Sequence, residues 1–182
     1  MYSWKLSQGI TLLELIVSIA IIGIIASFVV PSFENSINRS HVNKKSEEIF
    51  EYIRLAKIEA VKRNKSVEIY FDKSNHGSFC LGMRGIGDNI NCSTTSSTYP
   101  SLKFDKNRHY EIKTSNKKGD VIDISEGGLF SFNPYTGKSS NSKKLLLKSK
   151  LTPSVISGVR ITDIGFIYAC SEQKQDGKST CV

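Results

Sequence analysis

The chain has 182 residues, with 25 Lys and Arg against 17 Asp and Glu and a formal charge of +8. That length holds one membrane segment plus one domain of roughly 110–120 residues, large enough for a real core, and the basic balance suits acidic partners without naming one. His41, His76 and His109 stand in no H-E-x-x-H spacing, and neither a G-x-S-x-G nor a P-loop occurs, so the chain reads as a non-enzyme with no cofactor.

Residues 8–31 read QGITLLELIVSIAIIGIIASFVVP. From Ile10 to Val30 there are 21 residues whose single charge is Glu14, about the length that spans a bilayer. A carboxylate in such a segment costs roughly 2.5–3.5 kcal/mol on insertion scales, so its presence calls for a function. Only nine residues, MYSWKLSQG, precede the run. A secretory signal carries its small-residue cleavage site after the apolar core. Here the small residue, Gly9, stands before it, and cutting there leaves the apolar helix on the mature chain.

These residues resemble the class III signal of type IV pilins and pseudopilins. The resemblance implies cleavage of residues 1–9 between Gly9 and Ile10 by a prepilin peptidase, N-methylation of Ile10, and an assembly role for Glu14. Ile10 departs from the phenylalanine usual in that family. Ile10 and Glu14 are four apart, hence on one helix face, with the acid near the positive end of the helix dipole. A carboxylate there can meet the α-amine of its own chain or, as the resemblance implies, of a neighbouring pilin. The same resemblance implies other major and minor pilins as partners through this helix. It places residues 10–30 in the bacterial inner membrane, with the domain in the periplasm before entry into the filament. Loss of the leader takes away Lys5 and leaves a charge of +7.

Pro31 removes a backbone donor and is expected to kink the helix rather than end it. Helical periodicity resumes over residues 31–64, where Ile37, Ile49, Phe50, Ile53, Ala56, Ala60 and Val61 recur mostly at three- and four-residue steps. This predicts an amphipathic half-helix with one face on a domain. After Asn64 the period shortens. Residues 67–71, 79–81, 102–104, 110–113, 121–124, 129–132, 144–147, 155–162 and 166–169 are β-prone, punctuated by Gly, Asn, Ser and Pro. Residues 82–101 read as a mobile Gly/Ser/Thr-rich loop. The expected fold is α+β: a long N-terminal helix packed on an antiparallel β domain over residues 65–182.

Cys80, Cys92, Cys170 and Cys181 fall in two local pairs, twelve and eleven residues apart. In the exported compartment that the resemblance implies, disulfides are allowed, and locality alone selects Cys80–Cys92 and Cys170–Cys181 from three connectivities. Each loop would contribute about 2–3 kcal/mol by loop entropy. A metal is disfavoured, because no C-x-x-C occurs and no histidine stands at ligand spacing beside a cysteine.

LAKIEAVKRNKSVEIYF (55–71) and GGLFSFNPYTGKSS (127–140) resemble the GspH/FimT/FimU group of minor pilins. That resemblance implies a subunit at or near a filament tip that helps start assembly. Val30-Pro31-Ser32-Phe33 looks more like type IV pilus members than like GspH-like pseudopilins of type II secretion. FimT-like members that bind DNA for natural transformation carry G-R-x-R near the C-terminus. Here the matching register is Gly165-Phe166-Ile167-Tyr168, with aromatics at both arginine places, and Gly158-Val159-Arg160 recovers only one. Residues 127–162 hold Lys138, Lys143, Lys144, Lys148, Lys150 and Arg160 with no acid. Such a stretch suits contact with an anionic polymer but more often forms a solvated face, and DNA is not favoured. Phe166 and Tyr168 are expected in the core or at an interface.

Overall fold

The computed structural model describes residues 11–73, 78–88, 92, 99–104, 110–115, 120–171 and 179–181, the side chains of 28–32 and 179 apart. It divides into two units, Met1–Ile37 and Asn38–Val182.

One helix, α1 (Leu12–Arg63), runs through Pro31. Thr11 caps its start: the Glu14 amide donates to Thr11 Oγ1 at 3.2 Å, and the Leu15 amide to the Thr11 carbonyl at 3.1 Å. Its end is a left-handed cap at Asn64 (φ 52°). There the Lys65 amide reaches back to the Ala60 carbonyl and the Asn64 amide to that of Val61, both at 3.2 Å, which satisfies carbonyls the last turn would otherwise orphan. Within Asn38–Val182 the buried helix positions include Val42, Ser46, Ile49, Ile53, Ala56 and Ala60, in alternating steps of four and three along one face, with Asn38, Tyr52 and Glu59 also buried. Ile37 and Val61, expected on that face, are 43% and 56% exposed; Val61 stands roughly 100° round the helix from the centre of the face.

Among the described residues ten strands follow: β1 (Val67–Lys73), β2 (Phe79–Gly85), β3 (Ser101–Phe104), β4 (Tyr110–Ser115), β5 (Val121–Asp123), β6 (Gly127–Phe132), β7 (Lys143–Ser149), β8 (Ile156–Ile161), β9 (Ile167–Ser171) and β10 (Ser179–Thr180). They form a four-stranded sheet in the order β3-β2-β1-β6 and a six-stranded sheet in the order β10-β9-β8-β7-β4-β5. Pairing is antiparallel except for β10, which lies parallel to β9. The core joins the helix face to one face of each sheet, through Ile69, Leu81 and Phe132 of the first and Ile112, Leu145, Leu147 and Val159 of the second. The fold is α+β, an N-terminal helix packed on antiparallel sheets.

The expected loop 82–101 starts later than the glycine content suggested. Gly82, Met83, Arg84 and Gly85 belong to β2. Gly82 is needed there because the Tyr70 ring on β1 lies where a Cβ would project, and Arg84 covers that ring at 4.9 Å. Within the rest of that loop, residues 89–91 and 93–98 lie outside the described residues.

Candidate assembly site and neighbouring surfaces

In the unit Met1–Ile37 the helix from Leu12 to Ile25 exposes apolar side chains on every side, with Glu14 its one charge. Leu12, Leu13, Leu15, Ile16, Val17, Ile19, Ile21, Ile22, Ile24 and Ile25 are each 49–77% exposed. A helix of this kind needs cover from lipid or from other helices. Its hydroxyls are turned inward: Ser18 Oγ donates to the Glu14 carbonyl at 2.7 Å and Ser27 Oγ to the Ile24 carbonyl at 2.6 Å. Each hydroxyl thereby meets an acceptor without water, as apolar surroundings require. Glu14 is exposed, and its carboxylate makes no ion pair among the described residues.

Thr11 and Glu14 form a T-x-x-E pattern, the N-terminal signature of a capped helix. Glu14 thus sits in the first turn, where the dipole favours its charge. The pattern was present in the sequence and the capping role of Thr11 went unread. Gly9 and Ile10, the expected cleavage and methylation residues, lie outside the described residues. Pro31 stands within α1, its side chain outside them. Among the described residues no helix is long and apolar enough to cross a membrane; described side chains cover 11–27 of the apolar run, so 10 and 28–30 are not among them.

In the unit Asn38–Val182 the cysteines pair as Cys80–Cys92 and Cys170–Cys181. The second bridge ties β10 to β9. Cys170, Cys181 and Leu146 form a small apolar cluster of their own on the outer face of the six-stranded sheet. The sequence missed β10 because two residues, Ser-Thr, carry no readable period. The chain holds them through the bridge, the Cys181 amide on the Ser171 carbonyl at 3.1 Å, and Lys144 Nζ on the Cys181 carbonyl at 2.9 Å.

The six cations of 127–162 do not make one face. Strand alternation turns Lys143 to the side of Leu145 and Leu147, which face the core, and turns Lys144 and Lys148 outward. Arg160 pairs in register with Lys144 and Tyr168, and Lys148 with Glu111. Lys138 is exposed beyond β6, and Lys150 just after β7. Acids stand on the same outer face: Lys113 bridges Asp123 at 2.5 Å and Glu111 at 3.3 Å. Hydrogen bonding to Asp123 and Glu111 raises the Lys113 pKa, and the bond from Lys113 lowers that of Asp123.

Phe166 and Tyr168 are 56% and 45% exposed, which corrects the expectation that they could be core. Their rings lie 6.0 Å apart. The turn before them is built by Thr162 and Gly165. The Thr162 amide donates to the Phe166 carbonyl at 3.0 Å, the Phe166 amide to Thr162 Oγ1 at 3.0 Å, and Gly165 takes φ +84°. Beside it stands the Asn133–Gly137 turn, in which Asn133 Oδ1 accepts from the Tyr135 and Thr136 amides at 2.9 and 3.1 Å. The two turns meet through the Ser139 amide on the Asp163 carbonyl at 3.0 Å and through Lys57 of α1, whose ammonium donates to the Gly165 carbonyl at 2.9 Å. Sequence reading found neither Lys57 nor this junction. Among the described residues no group of acidic, histidine and cysteine side chains could hold a metal ion.

Residues 4–30 match the family model described as the prokaryotic N-terminal methylation motif. No curated protein and no solved structure matches the chain. The chain thus begins with a type IV pilin-type prepilin signal, with Glu14 in the first turn of the helix that the signal introduces.

Proposed function

We propose that the chain is a minor pilin of a bacterial type IV pilus, of the GspH/FimT/FimU group. In this reading a prepilin peptidase cuts between Gly9 and Ile10 and the Ile10 amine is methylated. Residues 10–30 cross the inner membrane with the β domain in the periplasm, then pack among the helices of other pilins in the filament. The observation that carries it is the methylation motif at 4–30 leading into a helix whose apolar side chains are exposed all round. Fully burying one Leu, Ile or Val contributes about 1.5–3 kcal/mol, so the ten of them from Leu12 to Ile25 drive bundling strongly but without register. Register comes from a charge: Glu14 is expensive in apolar surroundings until it meets a cation, and cleavage creates one at Ile10. The Val30-Pro31-Ser32-Phe33 run supports the pilus over a type II secretion pseudopilus.

Mass spectrometry of the mature protein is expected to find an N-methylated Ile10 terminus; an intact Met1 in cells with active peptidase refutes the reading. Glu14→Ala is expected to insert into the membrane normally yet be depleted from sheared filaments. Recovery equal to wild type would remove the register role.

A further inference from the structure

We propose that Phe166, Tyr168 and Arg160, on the outer face of the six-stranded sheet, form a binding site for an acidic glycan, a chain of pyranose rings that carry carboxylates. The site lies wholly within the β domain and is independent of how the N-terminus is processed.

Strand alternation brings the three side chains together. Val159 and Ile161 are buried in the core, so Arg160 between them points outward. Tyr168 stands opposite Arg160 in the β8–β9 register, where facing residues have Cβ atoms about 4.5–5.5 Å apart. Phe166, two residues before Tyr168, falls on the same side. The two rings lie 6.0 Å apart with their planes inclined at 35°, and both are about half exposed. Two aromatic faces and a guanidinium therefore stand side by side on the sheet surface.

The charge in this group is single and unspent. Among the described residues no carboxylate pairs with Arg160. Asp163, the nearest acid in sequence, places Oδ1 on the Ile164 amide at 3.0 Å. Lys144, which flanks Arg160 on β7, donates to the Cys181 carbonyl at 2.9 Å. What remains is one planar fork of N–H donors, the geometry that meets a carboxylate with two parallel hydrogen bonds.

The composition selects the ligand class. An aromatic ring presents a negative π-face, and the C–H bonds along one side of a pyranose carry the complementary partial charge. The ring separation is comparable with the step between consecutive sugars in an extended β-linked chain, and the fork supplies the partner for a carboxylate on one of them. A nucleic acid needs several cations along its backbone, where this group has one. A peptide anchor is a side chain buried in a pocket, whereas these rings stand out from the sheet.

The test titrates β-linked tetramannuronate into the full-length chain in detergent micelles and reads binding by calorimetry. The comparators are β-linked mannotetraose, tetraglutamate and a thymidine tetranucleotide. Tetramannuronate is expected to bind most tightly, with mannotetraose about tenfold weaker, the low end for loss of a hydrogen bond to a charged group. Arg160→Gln is expected to weaken tetramannuronate by the same factor, and Phe166→Ala or Tyr168→Ala by about 2- to 10-fold each. Arg160→Lys keeps the charge without the fork and is expected to stay weakened, while Lys150→Gln, which removes a charge elsewhere, should bind as wild type. Thermal unfolding of each variant checks that the fold is retained. No heat with tetramannuronate, or equal losses in Arg160→Gln and Lys150→Gln, overturns the proposal. Binding of the tetranucleotide or of tetraglutamate as tight as that of tetramannuronate identifies a nucleic-acid or an acidic-peptide surface instead, and overturns it as well.

Discussion

Replacing Lys57 by Met tests whether the helix and the two turns of the β domain are held by one ammonium. Lys57 donates to the Gly165 carbonyl at 2.9 Å, and Gly165 is buried. No residue with a Cβ fits at Gly165, because that atom would run into the Gly137 carbonyl. At Gly137 (φ +65°) a Cβ would come within 3.2 Å of Lys57 Cε. The two glycine backbones and the lysine stem therefore close on one another. Met keeps the apolar stem and removes the donor. A hydrogen bond from a charged group contributes about 1.5–3 kcal/mol, and its loss strands a buried carbonyl. For a unit of the size of Asn38–Val182, each kcal/mol moves Tm by about 2–4 °C, so Lys57→Met should lower it by roughly 3–12 °C. Thermal unfolding of that unit by circular dichroism measures the shift, and amide exchange should quicken at 163–166 before elsewhere. A Tm within about 1 °C of wild type would refute the reasoning, since the bond would then be worth no more than its exchange with water.

The two bridges should differ in reducibility. Cys170 and Cys181 are at most 1% exposed, whereas Cys92 is half-buried, so a mild dithiol followed by alkylation and mass spectrometry should label Cys80 and Cys92 first; simultaneous labelling would contradict the burial argument. Acid stability should depend on Arg63. Its side-chain hydrogen bond is the main cause holding the Glu59 pKa below the ordinary 4.5, helped by the charges of Lys62 and Arg63. A depressed carboxyl pKa stabilises the fold above the unfolded value and loses that contribution as pH falls through the folded one. Arg63→Gln should therefore flatten the fall in Tm below about pH 4.5; parallel curves for variant and wild type would count against it.

The motif was legible because everything it depends on is local. Gly9, Ile10 and Glu14 are fixed by spacing along one segment, and the apolar run around Glu14 has a length that needs no tertiary partner to interpret. The buried helix face was legible only in part. Ile49, Ile53, Ala56 and Ala60 follow from period, but Ile37 and Val61 were drawn in by their chemistry alone, while Val42 and Ser46 carry the same face. Gly82–Gly85 read as loop because glycine ordinarily punctuates strands, whereas Gly82 here serves strand pairing. Its cause is tertiary: the Tyr70 ring from the neighbouring strand occupies the space.

The basic stretch shows why surfaces are harder to read than motifs. Lys143 and Lys144 are neighbours in sequence, yet a period of two sends them to opposite faces. On the outer face the cations are partly spent. Lys144 serves the Cys181 carbonyl, Lys113 is held by Asp123 and Glu111, and Glu111 stands in register with Lys148. A polyanion laid across this sheet would meet two acids beside its lysines and would have to displace an existing hydrogen bond. Counterion release, which makes phosphate binding strong, grows with the number of cations neutralising phosphates. Here that number is smaller than the five lysines and one arginine of the linear stretch suggest. The fold thus weakens the DNA reading on grounds separate from the missing arginines at Phe166 and Tyr168, and leaves those two exposed rings as the more distinctive feature of the surface.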